Sequence, residues 1–404
     1  MKDAFATGRL RLTISLYLLM FAYAITITMI GPLIPVIMVQ YNISLSQSGM
    51  ISLFQGLGGV VAVLCGAMIS DLFKKSHQIL LVFFIYCISN ILLIISQYFW
   101  MFLLLFFIVG ASTNYLNAIL NAYISDLHPG KRNFYLNLLH AFLGLGALTG
   151  PFLSSVFIVC GMDWEYIFVA LAAFCTVALV LNILAQRKVP EQLQSIGCFK
   201  PVNFFKFILN KKMLVMCLIV FSYTGFVFGI STWIPTYLKQ QLGTSVFVSG
   251  LPVSGLWCGV IFGRLVFSRL SDKYSAKRLL IWNNLIGGLI IIVAVVMNNP
   301  VTFIVLNVFT GFFVGIVMPL SLATACNWYP NNTGTISSVI FVFATLGQMI
   351  LPWFSGIISD NISFIAGILM IAILPLCIMA FAWILPSNKK IMMENKTSNN
   401  KQQN

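Results

Sequence analysis

Long apolar runs alternate with short polar connections twelve times along the 404 residues. The runs fall at about 13–40, 46–71, 78–97, 100–125, 134–160, 164–186, 213–238, 246–270, 279–298, 301–328, 334–358 and 363–385. Each suits the roughly 20 residues that cross a ~30 Å hydrocarbon core at 1.5 Å rise per residue. The pattern predicts an all-α membrane protein of 12 transmembrane helices in two six-helix bundles related by a pseudo-two-fold axis along the membrane normal. The even count puts both termini on one side. The first run is too long for a signal-peptide core and lacks a small-residue cleavage site, so it reads as a retained first helix.

One connection is long, residues 187–212, and it separates an N-terminal six-helix bundle (1–186) from a C-terminal one (213–386). The tail, 387–404, is polar and reads as a disordered cytoplasmic extension. The halves repeat at a spacing of 201 residues: Asp71 with Asp272, Gly58 with Gly259, Gly110 with Gly311, Pro129 with Pro330, Gly146 with Gly347, and Pro151 with Pro352. Ile34-Pro35 and Ile234-Pro235 match after a one-residue slip. Six matches in one register exceed what common residues give by chance. Parallel repeats of this kind build secondary transporters whose substrate site lies between the halves near midplane.

Charge changes the picture by fixing orientation. Of the 23 Lys and Arg, 22 fall on the side of the termini, against 6 acidic groups, a net of +16. The other side carries Lys239 with Asp163, Glu165 and Asp360, a net of −2. Basic residues concentrate in cytoplasmic loops, so the reading is a multi-pass protein of the plasma (cytoplasmic) membrane with both termini cytoplasmic. The basic balance then reports topology and implies no nucleic-acid partner. With 60% hydrophobic and 8% charged residues, no soluble fold could hide the apolar surface. The nine cysteines are scattered without metal or redox spacing and read as small packing residues, so no metal or other cofactor is expected. No nucleotide-binding loop or catalytic constellation occurs, so the protein is read as a non-enzyme that is not itself ATP-driven.

The connections after helices 2 and 8 read AMISDLFKK and SRLSDKYSAKR. They resemble the loop signature of the major facilitator superfamily, with Ala67 and Ser268 where that signature starts with Gly. The resemblance covers essentially the full chain. It implies a gate on the inner side built on Asp71, Lys74, Lys75, Arg269, Asp272 and Lys273, whose carboxylates latch to helix ends in one state and release in the other. The stretch NAYISDLHPGKRNFYLNLLHAFLGLGALTGP resembles the fucose-permease-like branch through Asn121, Asp126, Pro129, Arg132, Asn137, His140, Gly144, Gly146, Gly150 and Pro151, and it adds Asp126 and Arg132 to the gate. Proton-coupled members of that branch carry a Glu where this chain has Asn117, an Arg where it has Phe106, and an Asp in helix 1, which here has none. The Gly146-x-x-x-Gly150-Pro151 run also resembles part of the antiporter motif of drug exporters, but Ser154-Ser155 replaces its Gly pair.

Candidate binding residues are polar groups on otherwise apolar helices. Asn114, Asn117 and Asn121 share one stripe of helix 4. Amides facing lipid are costly, so the stripe faces protein or a cavity. Asn121 and His140 both lie roughly 8–9 Å from the inner ends of their helices. Tyr23, Gln55, Tyr223, Trp257, Asn307 and Gln348 complete the set, with Thr26 and Trp233 beside them. Aromatics next to amides suit a sugar, with ring faces on C–H surfaces and amides on hydroxyls. Trp233, near a helix end, equally suits an interfacial belt. Arg264 on helix 8 either meets an anionic substrate or snorkels to the inner surface, and snorkelling is favoured.

These features read as a monomeric secondary active or facilitative transporter in a lipid bilayer, moving a neutral sugar or similar polar metabolite by alternating access. An efflux transporter for amphipathic compounds is the leading alternative, given 35 Phe and 17 Met. A non-transporting receptor or sensor is the second, and it lacks room for a signalling domain. All nine acidic residues lie in tails, loops or helix ends, which predicts weak or absent proton coupling, with His140 the one span residue able to titrate near neutrality.

Overall fold

Twelve helical spans arise where the apolar runs lie, in a computed structural model described over residues 2–69, 74–128, 131–187, 207–271, 273–329 and 332–385. Among the described residues all regular structure is helical. Span 1 is Lys2–Thr28 with Ile30–Tyr41, span 2 Leu45–Ile69, span 3 Lys75–Ile94, span 4 Phe99–Leu127, span 5 Arg132–Val159 and span 6 Glu165–Gln186. Span 7 is Lys211–Gln241, span 8 Val246–Leu270, span 9 Ala276–Met297, span 10 Pro300–Val314 with Val317–Trp328, span 11 Thr333–Asn361, and span 12 Phe364–Ala372 with Leu374–Ile384. Among the described residues, eleven are long and apolar enough to cross a membrane by composition. Span 2 carries Ser46, Gln47, Ser48, Ser52 and Gln55 in its first half, and the side chains of its last seven residues lie outside the described residues. Residues 188–206, most of the linker, and the tail from 386 lie outside the described residues.

Three spans break where proline dictates. Pro32, Pro319 and Pro375 lack the N–H that would bond one turn back, and the helices interrupt at Met29, at Gly315–Ile316 and at Ile373. Pro35, Pro151, Pro235, Pro252 and Pro352 sit inside continuous helices and leave a carbonyl unpaired without a break.

Each half has its own apolar core. One cluster joins spans 1–6 around Leu16, Phe83, Phe102, Phe106 and Phe168, and another joins spans 7–12 around Phe226, Phe303, Ile340 and Ile371. The repeat is visible as repeated contacts. A side chain at Gly58 would fall on the Phe107 carbonyl oxygen, and one at Gly259 on that of Val308, the counterpart of Phe107 in the second half. Gly110 likewise abuts the Gln55 carbonyl and Gly311 that of Leu256, the same pair displaced by one repeat. Spans 2 and 4, and spans 8 and 10, thus touch backbone to backbone, as small residues allow within membranes. Gly146 against Phe21 and Gly347 against Phe221 repeat the contact in the slipped register.

The two faces of the molecule differ in charge. One bears Lys74, Lys75, Lys131, Lys273 and Lys277 at span ends, and we call it the basic side. The opposite, acidic side bears Asp163, Glu165 and Asp360.

Candidate functional site

Among the described residues, the hydrogen bonds between the halves lie at mid-depth or on the acidic side. The Asp360 carboxylate, at the end of span 11, accepts from Leu45 N–H at 3.2 Å and Ser46 N–H at 2.7 Å, where span 2 begins. Ser254 Oγ donates to the Leu148 carbonyl at 3.0 Å, joining spans 8 and 5. Thr345 Oγ1 donates to Asn114 Oδ1 at 3.4 Å near mid-membrane. Close backbone approaches reinforce this seal: Gly31 meets the Ser231 carbonyl, Gly49 meets Trp353, and Gly250 meets Ser155.

Below the seal lies a small cavity of about 20 Å3, room for one water, lined by residues including Thr28, Gly31, Ser52, Gln55, Phe228, Ser231 and Gln348. Four of these, Thr28, Gly31, Ser231 and Gln348, stand one turn before Pro32, Pro35, Pro235 and Pro352. Their carbonyls therefore lack an intrahelical N–H partner and line the seam as acceptors. The Gln55 side-chain nitrogen is buried there without a partner among the described residues.

Toward the basic side the polar stripe of span 4 continues. Asn121 Nδ2 donates to the Asn117 backbone oxygen at 2.7 Å and to Asn117 Oδ1 at 2.9 Å, which leaves Asn117 Nδ2 uncommitted among the described residues. Asn114 Nδ2 bonds back to the Gly110 carbonyl at 3.0 Å. All three asparagines are half-buried. His140 of span 5 lies near enough to Arg264 of span 8 to feel its charge across the halves.

Arg264 is half-buried and is not a free side chain. Its Nε–H donates to the Gly315 carbonyl at 3.2 Å, the group that Pro319 frees at the break in span 10. Trp233 is not in a lipid belt either: it is fully buried, its Nε1–H donates to the Pro352 carbonyl at 2.8 Å, and its ring packs edge-on to Phe364. Trp257 is 5% exposed, packs edge-on to Phe228, and its indole N–H has no partner among the described residues. Tyr23 and Tyr223, which match in the slipped register of the repeat, belong to the cores of their own halves. Asn307 is fully buried in span 10 and donates back to the Phe303 carbonyl at 2.8 Å, and its Oδ1 has no partner among the described residues.

Of the gate residues, Lys75 and Asp126 pair at 2.5 Å and tie span 3 to span 4 within one half. Arg269 and Lys273 are exposed and Lys74 half-buried. Asp71, Asp272 and the side chain of Arg132 lie outside the described residues.

The family model described as Major Facilitator Superfamily matches residues 16–274 and 216–402. A protein named TsgA homolog from Buchnera aphidicola subsp. Schizaphis graminum is 20% identical over 334 residues, 82% of this chain and 85% of that one. A putative glucose/galactose transporter from Helicobacter pylori is 23% identical over 278 residues, 64% of this chain and 66% of its own length. Among solved structures, a bacterial homolog of the human lysosomal transporter Spinster, inward-facing and unoccupied, aligns with a TM-score of 0.75 at 14% identity, covering 95% of this chain and 97% of that one. The repeated halves, the seam between them and these matches agree: the chain belongs to the Major Facilitator Superfamily and is a multi-pass membrane transporter of a small solute.

Proposed function

We propose that the chain carries a small, hydrogen-bonding polar metabolite, sugar-like in its polar surface, by rocking halves 1–186 and 213–386 about the seam. The basic side faces the cytoplasm of a plasma membrane, by the excess of Lys and Arg in its connections. The state described is then closed to the outside, with its polar stripe directed inward. Asn117, Asn121 and His140 present amide and imidazole groups to the solute, and Gln55 and Gln348 meet it higher up. Asp71 and Asp272, repeated at equivalent inner ends, latch the cytoplasmic side in the opposite state.

The observation that carries this reading is the asymmetry of the seam. Among the described residues the halves are hydrogen-bonded from mid-membrane to the acidic side, while the uncommitted amide of Asn117 lies nearer the basic side. Apolar packing alone would need neither feature. The glucose/galactose transporter among the relatives agrees with a polar solute. A thermal-shift screen of purified protein against sugars, amino acids, nucleosides and drugs tests it, because a ligand stabilises the state that binds it. Stabilisation by polar metabolites, followed by their counterflow in proteoliposomes, is expected. A response to amphipathic drugs alone would replace this reading with drug efflux.

A further inference from the structure

Arg264 stands six residues from the basic end of span 8, roughly 9 Å into the helix at 1.5 Å per residue. Arg264 is half-buried; a guanidinium stays charged at any physiological pH, and one set into a span calls for a compensating charge. Its neighbourhood supplies none. Among the described residues Arg264 makes no ion pair, and the carboxylates Asp126, Asp163, Glu165 and Asp360 all sit at span ends or in connections. The ionisable group that feels its charge from span 5, His140, is itself a base.

The local geometry aims the guanidinium. Pro319 frees the Gly315 carbonyl, and that carbonyl takes the Nε–H. One of five N–H donors is thereby fixed, and the four on the terminal nitrogens have no partner among the described residues. Trp257 lies seven residues away on the same stripe of span 8, with its own N–H likewise unpartnered and buried. The same stripe meets span 5 at Ser254 and at His140. Arg264 and Trp257 thus offer unpaired donors along the inner seam among the described residues, in contrast to the freed carbonyls of the cavity near the seal.

We propose that Arg264 recognises charge in the transport site, and that the solute carries an anionic group, a carboxylate or a phosphate, which the terminal guanidinium N–H groups bind as a fork. This rests on the transport reading above and narrows it from a polar metabolite to an acidic one. The solute then completes a neutral set of contacts between span 8 and span 5, the two halves that must move together around it.

The test uses the full chain in proteoliposomes and matched pairs of probes: gluconate and galacturonate against glucose and galactose for the carboxylate, and glycerol 3-phosphate against glycerol for the phosphate. Counterflow of at least one acid is expected to exceed that of its neutral match by about tenfold or more, as a charge-assisted hydrogen bond allows. Arg264→Gln keeps a donor for the Gly315 carbonyl and is expected to lose that preference by a similar factor. Arg264→Lys keeps the charge without the fork, and it should retain preference for the acid at weaker affinity. Equal counterflow of neutral matches in the unaltered protein overturns the charge assignment and leaves the transport reading intact. Undiminished acid exchange in Arg264→Gln overturns it too, making Arg264 a brace for the broken span. Should Arg264→Gln fail to fold, loss of acid preference in a folded Arg264→Lys would count against the assignment. Silence of every probe counts against both readings.

Discussion

Asp360 holds Ser46 across the two halves: its carboxylate accepts the Ser46 backbone N–H at 2.7 Å and so caps the start of span 2 from the end of span 11. The first N–H groups of a helix have no intrahelical partner, and their partial positive charge favours an anion. Here the cap comes from the opposite half, so the same bond that satisfies the helix start also shuts the acidic side. To open that side, the transporter must break this contact.

Removing the cap should therefore open the acidic side more often. A cap of this kind is worth about 1 kcal/mol, or roughly a fivefold shift in the open population. The measurement is labelling of Thr232→Cys, a cavity position, by an impermeant maleimide added outside, in a Cys160→Ser background because Cys160 is exposed. Asp360→Ala should label several times faster than the parent. An unchanged rate would mean that the backbone contacts at Gly31 and Gly49 hold the seal alone.

The stripe of span 4 gives a second expectation. Asn121 is committed to Asn117, which leaves the Asn117 amide N–H groups for a solute. Asn117→Leu should weaken solute binding by about 1–3 kcal/mol, the loss when a buried polar partner is removed. Titration calorimetry with whichever solute responds in the screen reads this directly. Normal affinity with a lowered melting temperature would assign the stripe to helix packing.

His128 supplies a pH dependence. Its Nε2 lies 2.8 Å from Thr13 Oγ1, and its ring stacks on Tyr135 at 3.5 Å, joining the basic ends of spans 1, 4 and 5. Burial, and then the nearby Arg9 charge, push its pKa from 6.5 down to about 4. The unfolded chain therefore binds a proton that the folded one refuses between those values. Stability from this group is fully present above pH 6.5 and is lost as the pH falls toward 4. The apparent melting temperature in detergent should drop across that window, and His128→Gln should flatten the drop. An equally steep profile in the variant would place the acid sensitivity elsewhere.

The parts of this architecture that were legible in the sequence are those set by one residue's intrinsic chemistry. Gly58 and Gly259 could be paired across the repeat because only glycine tolerates the carbonyl contact each makes. The positions of the spans followed from apolar length, and proline marked where they break. Span 1 starts earlier than its apolar run because its first turns, with Lys2, Arg9 and Arg11, continue as helix past the apolar segment. The destinations of long polar side chains were not legible. Arg264 looked like a free side chain because the carbonyl that takes its Nε–H is released by Pro319, far along the chain and in another span. Trp233 looked like a belt residue because its partner, the Pro352 carbonyl, exists only once spans 7 and 11 pack. The Asp360 cap required both halves to be in place.

The last expectation concerns energy coupling. Proton-driven carriers need a titratable group that meets both sides in turn, and an intramembrane Asp or Glu is the usual choice. Among the described residues the carboxylates lie at span ends or in connections, where Asp126 is paired with Lys75 and Asp360 caps span 2. Asn117 and fully buried Phe106 occupy the positions where relatives of the fucose-permease-like branch carry Glu and Arg. Flux should then be weakly coupled to protons or uncoupled. Proteoliposomes with an imposed pH gradient and a solute that exchanges should equilibrate it without accumulating it. Uphill accumulation driven by the gradient would sink this expectation. If His140→Gln then abolished accumulation yet kept downhill exchange, the imidazole that feels Arg264 across the seam would be the proton carrier. Accumulation that survived in His140→Gln would place the carrier among residues outside this seam.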